Sequence, residues 1–342
     1  MADASERVAP KHSWVWLAVL VVGGGVGIYL AAPATDVLRA AWARLAHVPL
    51  AAIAIVVGGA LGLVATEALR IAVIGRIAGT HVRARDAWDA AVANHVMTAV
   101  TPQVGLGEPT VAYTLAKRGV PWDAAVAIPF VKFTTSLALV FALGAVLVAA
   151  GFGPPAHAWM TRAAIVWFGA IAAITTGVIA VCSSERIAPA WIARLARWAR
   201  RRRMFAKEHW QQRIASAEDV VLRTVARVAA LRRVTAADAA LLAGVHLVYY
   251  ASYIAPLVGL ALVLGDPPVV TLCLRALIYL CFVFAMPTPG GVGPSEAVAA
   301  WFFGDLVAPA DAIVIVVVFR ASTFYLQLAI GALYLPIRRL AR

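Results

Sequence analysis

The sequence predicts an all-α polytopic membrane protein: an inverted repeat with two re-entrant helical hairpins and about six full spans. Three observations carry that prediction. Of the 342 residues, 63% are hydrophobic and 14% charged, against about 45–50% apolar and about 25% charged in soluble domains. Apolar runs of membrane-crossing length recur along the chain, and its mean hydropathy is +0.85. Two Pro/Gly-broken segments, one in each half, resemble each other. The composition excludes a soluble enzyme, a disordered chain and a secreted disulfide scaffold.

Taken in order, the polar start gives way to an apolar run at Trp14–Ala32, read as an uncleaved first helix rather than a signal peptide because it is long and further spans follow. Further full spans are expected at 49–70, 122–150, 163–182, 236–264 and 311–337. Each has the roughly 20 apolar residues that cross about 30 Å of hydrocarbon. Orientation follows Lys and Arg. The stretch 183–235 carries 13 of them against 4 Asp and Glu, a net of +9 out of the chain's +13, and is expected in the cytoplasm. Arg70, Arg76, Arg83 and Arg85, the Lys117-Arg118 pair, and Arg338, Arg339 and Arg342 mark further cytoplasmic segments. Both termini are thereby expected inside. Glu67 and Arg70, near the end of their span, read as interfacial.

Those assignments leave two apolar stretches, Trp88–Ala116 and Val269–Gly304, that must enter and leave the membrane on one side. Each has a Pro/Gly break at its middle. They read as hairpins, the first opening to the cytoplasm and the second to the outside. The chain thus divides into a first half (1–182, hairpin 88–116), a basic cytoplasmic linker (183–235) and a second half (236–342, hairpin 269–304).

The breaks are Thr101-Pro-Gln-Val-Gly-Leu-Gly-Glu108 and Thr288-Pro-Gly-Gly-Val-Gly-Pro-Ser-Glu296. After the glutamates the halves align without a gap: Pro121 with Pro309, Asp123 with Asp311, Lys132 with Arg320, and Thr134-Thr135 with Ser322-Thr323. Ala and Val match anywhere, but Glu, Pro, Asp and a cation at equal offsets do not. By the expected orientations the two halves run oppositely, a transporter architecture.

Lys132 and Arg320 lie nine residues into the helices that Asp123 and Asp311 begin, roughly 13 Å deep at about 1.5 Å per residue. A cation there costs at least about 2.5–3.5 kcal/mol and needs a partner or water. One reading makes the pair a site for an anionic headgroup, with Arg320 as a bidentate fork and Lys132 as a point charge. The plainer reading pairs Lys132 with Glu108 and Arg320 with Glu296 inside each half. Glu108 and Glu296 sit in the first turn after each break, beside Pro109 and Pro294, where they suit the positive helix end or a proton.

The tip residues Thr101, Pro102, Gly105, Gly107, Pro289, Gly290, Gly291 and Gly293 allow tight turns and close backbone approach. Irregular backbone at membrane depth lines a cavity or is covered by protein. No GxxxxGK[ST] supports a nucleotide loop. Asn94, His95, His246, Tyr249 and Tyr253 are candidate cavity lining, although such groups are more often satisfied helix contacts.

In the linker, Trp191, Leu195 and Trp198 alternate with arginines, a basic amphipathic pattern suited to an anionic leaflet. A second run places Trp210, Ile214, Val221, Val225 and Val228 on one side. Nucleic acid is a poor alternative so close to the membrane. Cys182, Cys273 and Cys281 have no ligand spacing and read as core residues. No metal or cofactor is expected.

The stretch Met286-Pro-Thr-Pro-Gly-Gly-Val-Gly-Pro-Ser-Glu296, with Phe319-Arg-Ala-Ser-Thr-Phe-Tyr325 behind it, resembles the lysylphosphatidylglycerol synthase transmembrane (flippase-like) family. Thr101-Pro102 and Gly107-Glu108 resemble that family's first motif. The resemblance implies lipid translocation or binding in the bacterial inner membrane, with a phospholipid or a polyprenyl- or hopanoid-type lipid as partner. In bifunctional members a cytosolic domain makes the aminoacyl lipid. The sequence ends at Arg342, so the expectation is a non-enzyme without that domain.

The expected function is flippase-like: binding and translocating an anionic or zwitterionic lipid, with room for a homo-oligomer. The alternatives are a membrane-embedded lipid-carrier transferase using Glu108 and Glu296, or a non-transporting scaffold that recruits a lipid-modifying partner through the basic loop.

Overall fold

The computed structural model describes residues 35–47, 49–101, 107–202, 204, 207–230, 234–286, 288 and 294–340. The expected first span, Trp14–Ala32, lies outside them, as do the tip residues Pro102, Gly105, Pro289, Gly290, Gly291 and Gly293. The described residues form α1 (Thr35–Leu45), α2 (Leu50–Ile77), α3 (Ala84–Val100), α4 (Glu108–Lys117), α5 (Trp122–Ala149), α6 (Ala158–Cys182) and α7 (Ile187–Arg200). They continue with α8 (Glu208–Ala230), α9 (Ala236–Leu264), α10 (Val269–Ala285), α11 (Pro294–Phe303), α12 (Pro309–Arg320), one π-helical turn (Ala321–Tyr325) and α13 (Leu326–Leu340). Five spans long and apolar enough to cross a membrane occur among the described residues: α2, α5, α6, α9 and the continuous Pro309–Tyr334.

Element lengths repeat between the halves. Helices α2, α3, α4 and α5 have 28, 17, 10 and 28 residues. Helices α9, α10 and α11 have 29, 17 and 10, and the span after them has 26. Backbone chemistry sets the first hairpin's limits. Gly79 and Gly119 close α2 and α4 at φ 70° and 88°. In each case the next N–H reaches back five residues, Thr80 to Gly75 and Val120 to Leu115, a closure that needs a left-handed residue.

The halves meet along α2 and α9, which pack antiparallel. Ile55 meets Gly259, Gly59 meets Pro256, and Arg70 meets Tyr249 and His246, so numbers rise along one helix as they fall along the other. Small residues permit this approach, as they do between membrane helices generally. The remaining contacts exchange between the halves. Cys281 of α10 sits against Gly144 of α5, and Gly331 of α13 sits against Val96 of α3.

Ion pairs brace equivalent points. Asp123 at the start of α5 accepts from Arg227 of α8, and Asp311 at the start of α12 accepts from Arg44 of α1. At the first hairpin, Asp89 of α3 accepts from Arg118 beyond α4 and, at 2.6 Å, from Tyr334. In the second the polarity is reversed: Arg275 of α10 pairs with Asp305 beyond α11 and donates to Phe302 O at 3.1 Å.

Three expectations need correction. Helix α2 runs seven residues past Arg70, so Glu67 and Arg70 lie inside the bundle, 1% and 3% exposed, rather than at an interface. The apolar Ile71–Ile74 turn carries the helix onward, and Arg76 stands in its last turn. The span expected at 163–182 begins at Ala158, with only Phe168 and Ala172 of α6 buried. On α8, Val221 is exposed while Thr224, Val225 and Val228 are buried, so the packed stripe is narrower than expected.

Gly59→Val drives a branched side chain into the Pro256 ring and is expected to destabilise the fold by about 1–3 kcal/mol. A Cβ on neighbouring Gly58 would meet nothing within 4 Å, so Gly58→Val is expected to leave melting unchanged. Thermal unfolding of both variants in detergent checks this; equal losses would refute the packing argument.

Candidate functional site

Glu67 is the hub of the first half. Its Oε1 accepts from Lys132 of α5 and, at 2.8 Å, from the Asn94 amide of α3. Its Oε2 accepts from Arg70 one turn on, at 2.8 Å. Arg70 lies 4.1 Å over the Tyr249 ring and donates through Nε to His246 Nδ1 at 3.1 Å. A ring nitrogen that accepts carries no proton, so His246 is neutral. Its Nε2 then donates to Thr135 Oγ1 at 2.8 Å. One carboxylate thus ties together α2, α3, α5 and, through Arg70, α9.

The second half is simpler. Arg320 Nε donates to Glu296 Oε1 at 2.7 Å, and Ser295 Oγ donates to Glu296 Oε2 at 2.9 Å. The guanidinium lies 4.9 Å from the Phe324 ring centre. Directly after Arg320 comes the π-helical turn, a form frequent at functional sites. Ser322 within it donates to Val56 O, and Gln327 beyond it donates to Ala60 O, both at 2.9 Å. Arg320 is thereby held against α2.

Between the halves lies one cavity of about 80 Å³, with Arg70, Lys132, Glu67 and Glu108 on one side and Arg320 on the other. At about 10–15 Å³ per water this is space for several waters or one compact polar group. Lys132 and Arg320 are 1% and 2% exposed, and each also keeps its internal partner: Lys132–Glu108 at 3.0 Å and Arg320–Glu296 at 2.7 Å. Both of the pairings weighed from sequence are therefore present, and both cations border the same space.

Asn94, His95, Tyr249 and Tyr253 line this cavity, whereas His246 stands one layer behind it. Thr101 ends α3 with its hydroxyl on Met97 O at 2.5 Å, outside the lining. Gly107 packs so closely on Asn94 and Thr98 that a Cβ would overlap both side chains, which brings Glu108 to the lysine. Glu296 is buried behind Arg320 and is absent from the lining. The sequence reading missed the hub role of Glu67 and Arg70. Its available signal was their i,i+3 spacing inside an apolar run that continues beyond them.

Three buried polar atoms bordering the cavity have no hydrogen-bond partner among the described residues: Asn94 Oδ1, His95 Nε2 and Arg320 Nη2. Buried polar groups are rarely left so. A ligand or ordered water in the cavity would satisfy them. In charge, three cations (Arg70, Lys132 and Arg320) meet three carboxylates (Glu67, Glu108 and Glu296).

Removing one partner of a buried pair strands the other, at about 3–5 kcal/mol. Glu67→Gln is expected to destabilise by that order, and Glu67→Gln with Lys132→Met to recover part of it. Melting of single and double variants measures the coupling; strictly additive losses would show that Glu67 is not the hub.

The family model described as "Lysylphosphatidylglycerol synthase TM region" matches residues 15–331. No curated protein matches the chain at a significant level. A match over nearly the whole chain, together with the apolar helical bundle, makes this multi-pass membrane protein a member of the lysylphosphatidylglycerol synthase transmembrane family.

Proposed function

We propose that the chain is a flippase-like transporter that takes the headgroup of an anionic or zwitterionic lipid into the central cavity while the acyl chains stay in the bilayer. The observation that carries this reading is the single cavity bordered by the mid-helix cations of both halves, Lys132 and Arg320. A cation buried in a membrane bundle is costly and is by default a candidate for a substrate or ion path.

Transport requires access from each side in turn. Matching element lengths and the antiparallel pairing of α2 with α9 support an inverted repeat in which one half rocks against the other. The same reading places both termini in the cytoplasm of a bacterial inner membrane. It seats α7 on the anionic leaflet. There Trp191, Leu195 and Trp198 are 62%, 65% and 52% exposed, and Arg194 and Arg202 lie over the two tryptophans.

Two measurements test the proposal. In vesicles, the wild-type chain is expected to move a fluorescent phospholipid between leaflets, and folded Arg320→Gln to slow it on the order of tenfold or more. Wild-type rates equal to those of protein-free vesicles would overturn it. Lys117→Cys and Ala308→Cys, both exposed positions flanking the hairpins, are expected to label from opposite sides of the membrane. Labelling from one side would remove the alternating-access mechanism.

A further inference from the structure

Behind the hub lies a second cavity, of about 330 Å³, bordered by α2, α5, α6, α8 and α9. Helix α5 stands between the two spaces. Its residues Lys132, Phe133 and Ser136 line the central cavity, whereas Val131, Thr134 and Thr135 line this one. The volume falls within the about 300–1,000 Å³ of small-molecule sites. Apart from three hydroxyls, on Thr134, Thr135 and Ser183, every described residue of the wall is apolar. The transport reading makes no use of this space.

The hydroxyls select the chemistry of an occupant. Thr134 donates its proton to Phe130 O at 2.8 Å, and Thr135 donates to Val131 O at 2.6 Å. Thr135 also accepts from His246 Nε2 at 2.8 Å. Neither threonine therefore has a proton left to give. A hydroxyl oxygen carries two lone pairs, so both of Thr134's and one of Thr135's remain. Thr134 and Ser183 are each 6% exposed, and the apolar side chains around them offer no donor. A ligand that fits must bring its own donor and bury hydrocarbon. It must also be uncharged: a carboxylate would face lone pairs, and an ammonium would find no carboxylate in the described wall.

We infer that this cavity binds a neutral amphiphile through a hydroxyl group, its O–H on the Thr134 and Thr135 oxygens and its hydrocarbon against Ile74, Phe130 and Leu242. The site is joined to the hub. An O–H on Thr135 shares the oxygen that His246 holds, and His246 in turn accepts from Arg70, the partner of Glu67. Occupancy is therefore felt at the His246 ring.

The test uses the full chain in nanodiscs with histidine side chains labelled by nitrogen-15, the His246 resonance being assigned by its loss in His246→Gln. Four probes with one chain and different ends are titrated: dodecanol, dodecyl methyl ether, dodecylamine and laurate. Dodecanol is expected to shift the His246 signal saturably. The ether, which has no donor, is expected to bind about three- to tenfold more weakly, the worth of one hydrogen bond. The amine and laurate are expected to be weaker still. Thr134→Val keeps the side chain's shape, removes the acceptor and is expected to bring alcohol and ether level. The wild-type comparison stands even if that variant fails to fold. Alcohol and ether binding equally, the amine or laurate binding best, or no saturable shift would overturn the inference. An alcohol preference that survives in folded Thr134→Val would place the alcohol elsewhere and overturn it too. Each of these outcomes leaves the transport reading as it stands.

Discussion

The carboxylate of Glu67 is the point on which the bundle depends. Charge inside an apolar bundle is tolerable only when paired and hydrogen-bonded. Lys132 could not stand in the middle of α5, nor Arg70 in the middle of α2, without a shared anion between them. Glu67 serves both and the Asn94 amide as well. The hairpin arm α3, the span α5 and the helix α2 are thereby fixed relative to one another around one residue. The positions of Glu108 and the cavity follow from that.

The second half solves the same problem with one fewer acid. Arg320 is held by Glu296, by its ring contact and by the π-helical turn that anchors it to α2. Using one carboxylate rather than two leaves its guanidinium less saturated than the lysine opposite. Two halves with matching element lengths thus present unlike faces to a common space. Away from the centre, equal positions are braced by different means: Arg227 against Asp123, Arg44 against Asp311, and hairpin bridges of opposite polarity.

Much of this was legible beforehand. Hydropathy located three of the spans, 122–150, 236–264 and 311–337, to within about three residues, because a helix in hydrocarbon must satisfy its own backbone and shows as a continuous apolar run. Equal offsets among Glu108, Asp123 and Lys132 and among Glu296, Asp311 and Arg320 exposed the candidate site. Glu67 and Arg70 were misplaced because the positive-inside rule treats every arginine near a span end as an anchor. An arginine one helical turn from a glutamate, with apolar sequence on both sides, is instead a buried pair. The roles of Ser322, Gln327 and the π-helical turn left no trace in hydropathy, since they depend on which carbonyls of α2 face them.

By itself the sequence determined that the chain is a membrane bundle, that two apolar stretches are interrupted by Pro/Gly breaks, and that two cations stand mid-way along apolar helices. Those features follow from local rules of hydrophobicity, backbone breaking and charge burial. Only the tertiary structure decided that both cations border one cavity, that Lys132 takes two carboxylates while Arg320 takes one, and that His246 stands behind the site instead of in it. Each of these turns on side chains far apart in the chain, such as Glu67 with Lys132 or Arg70 with His246. Pairings of that kind are selected by how the helices pack, which residue spacing within one helix does not encode.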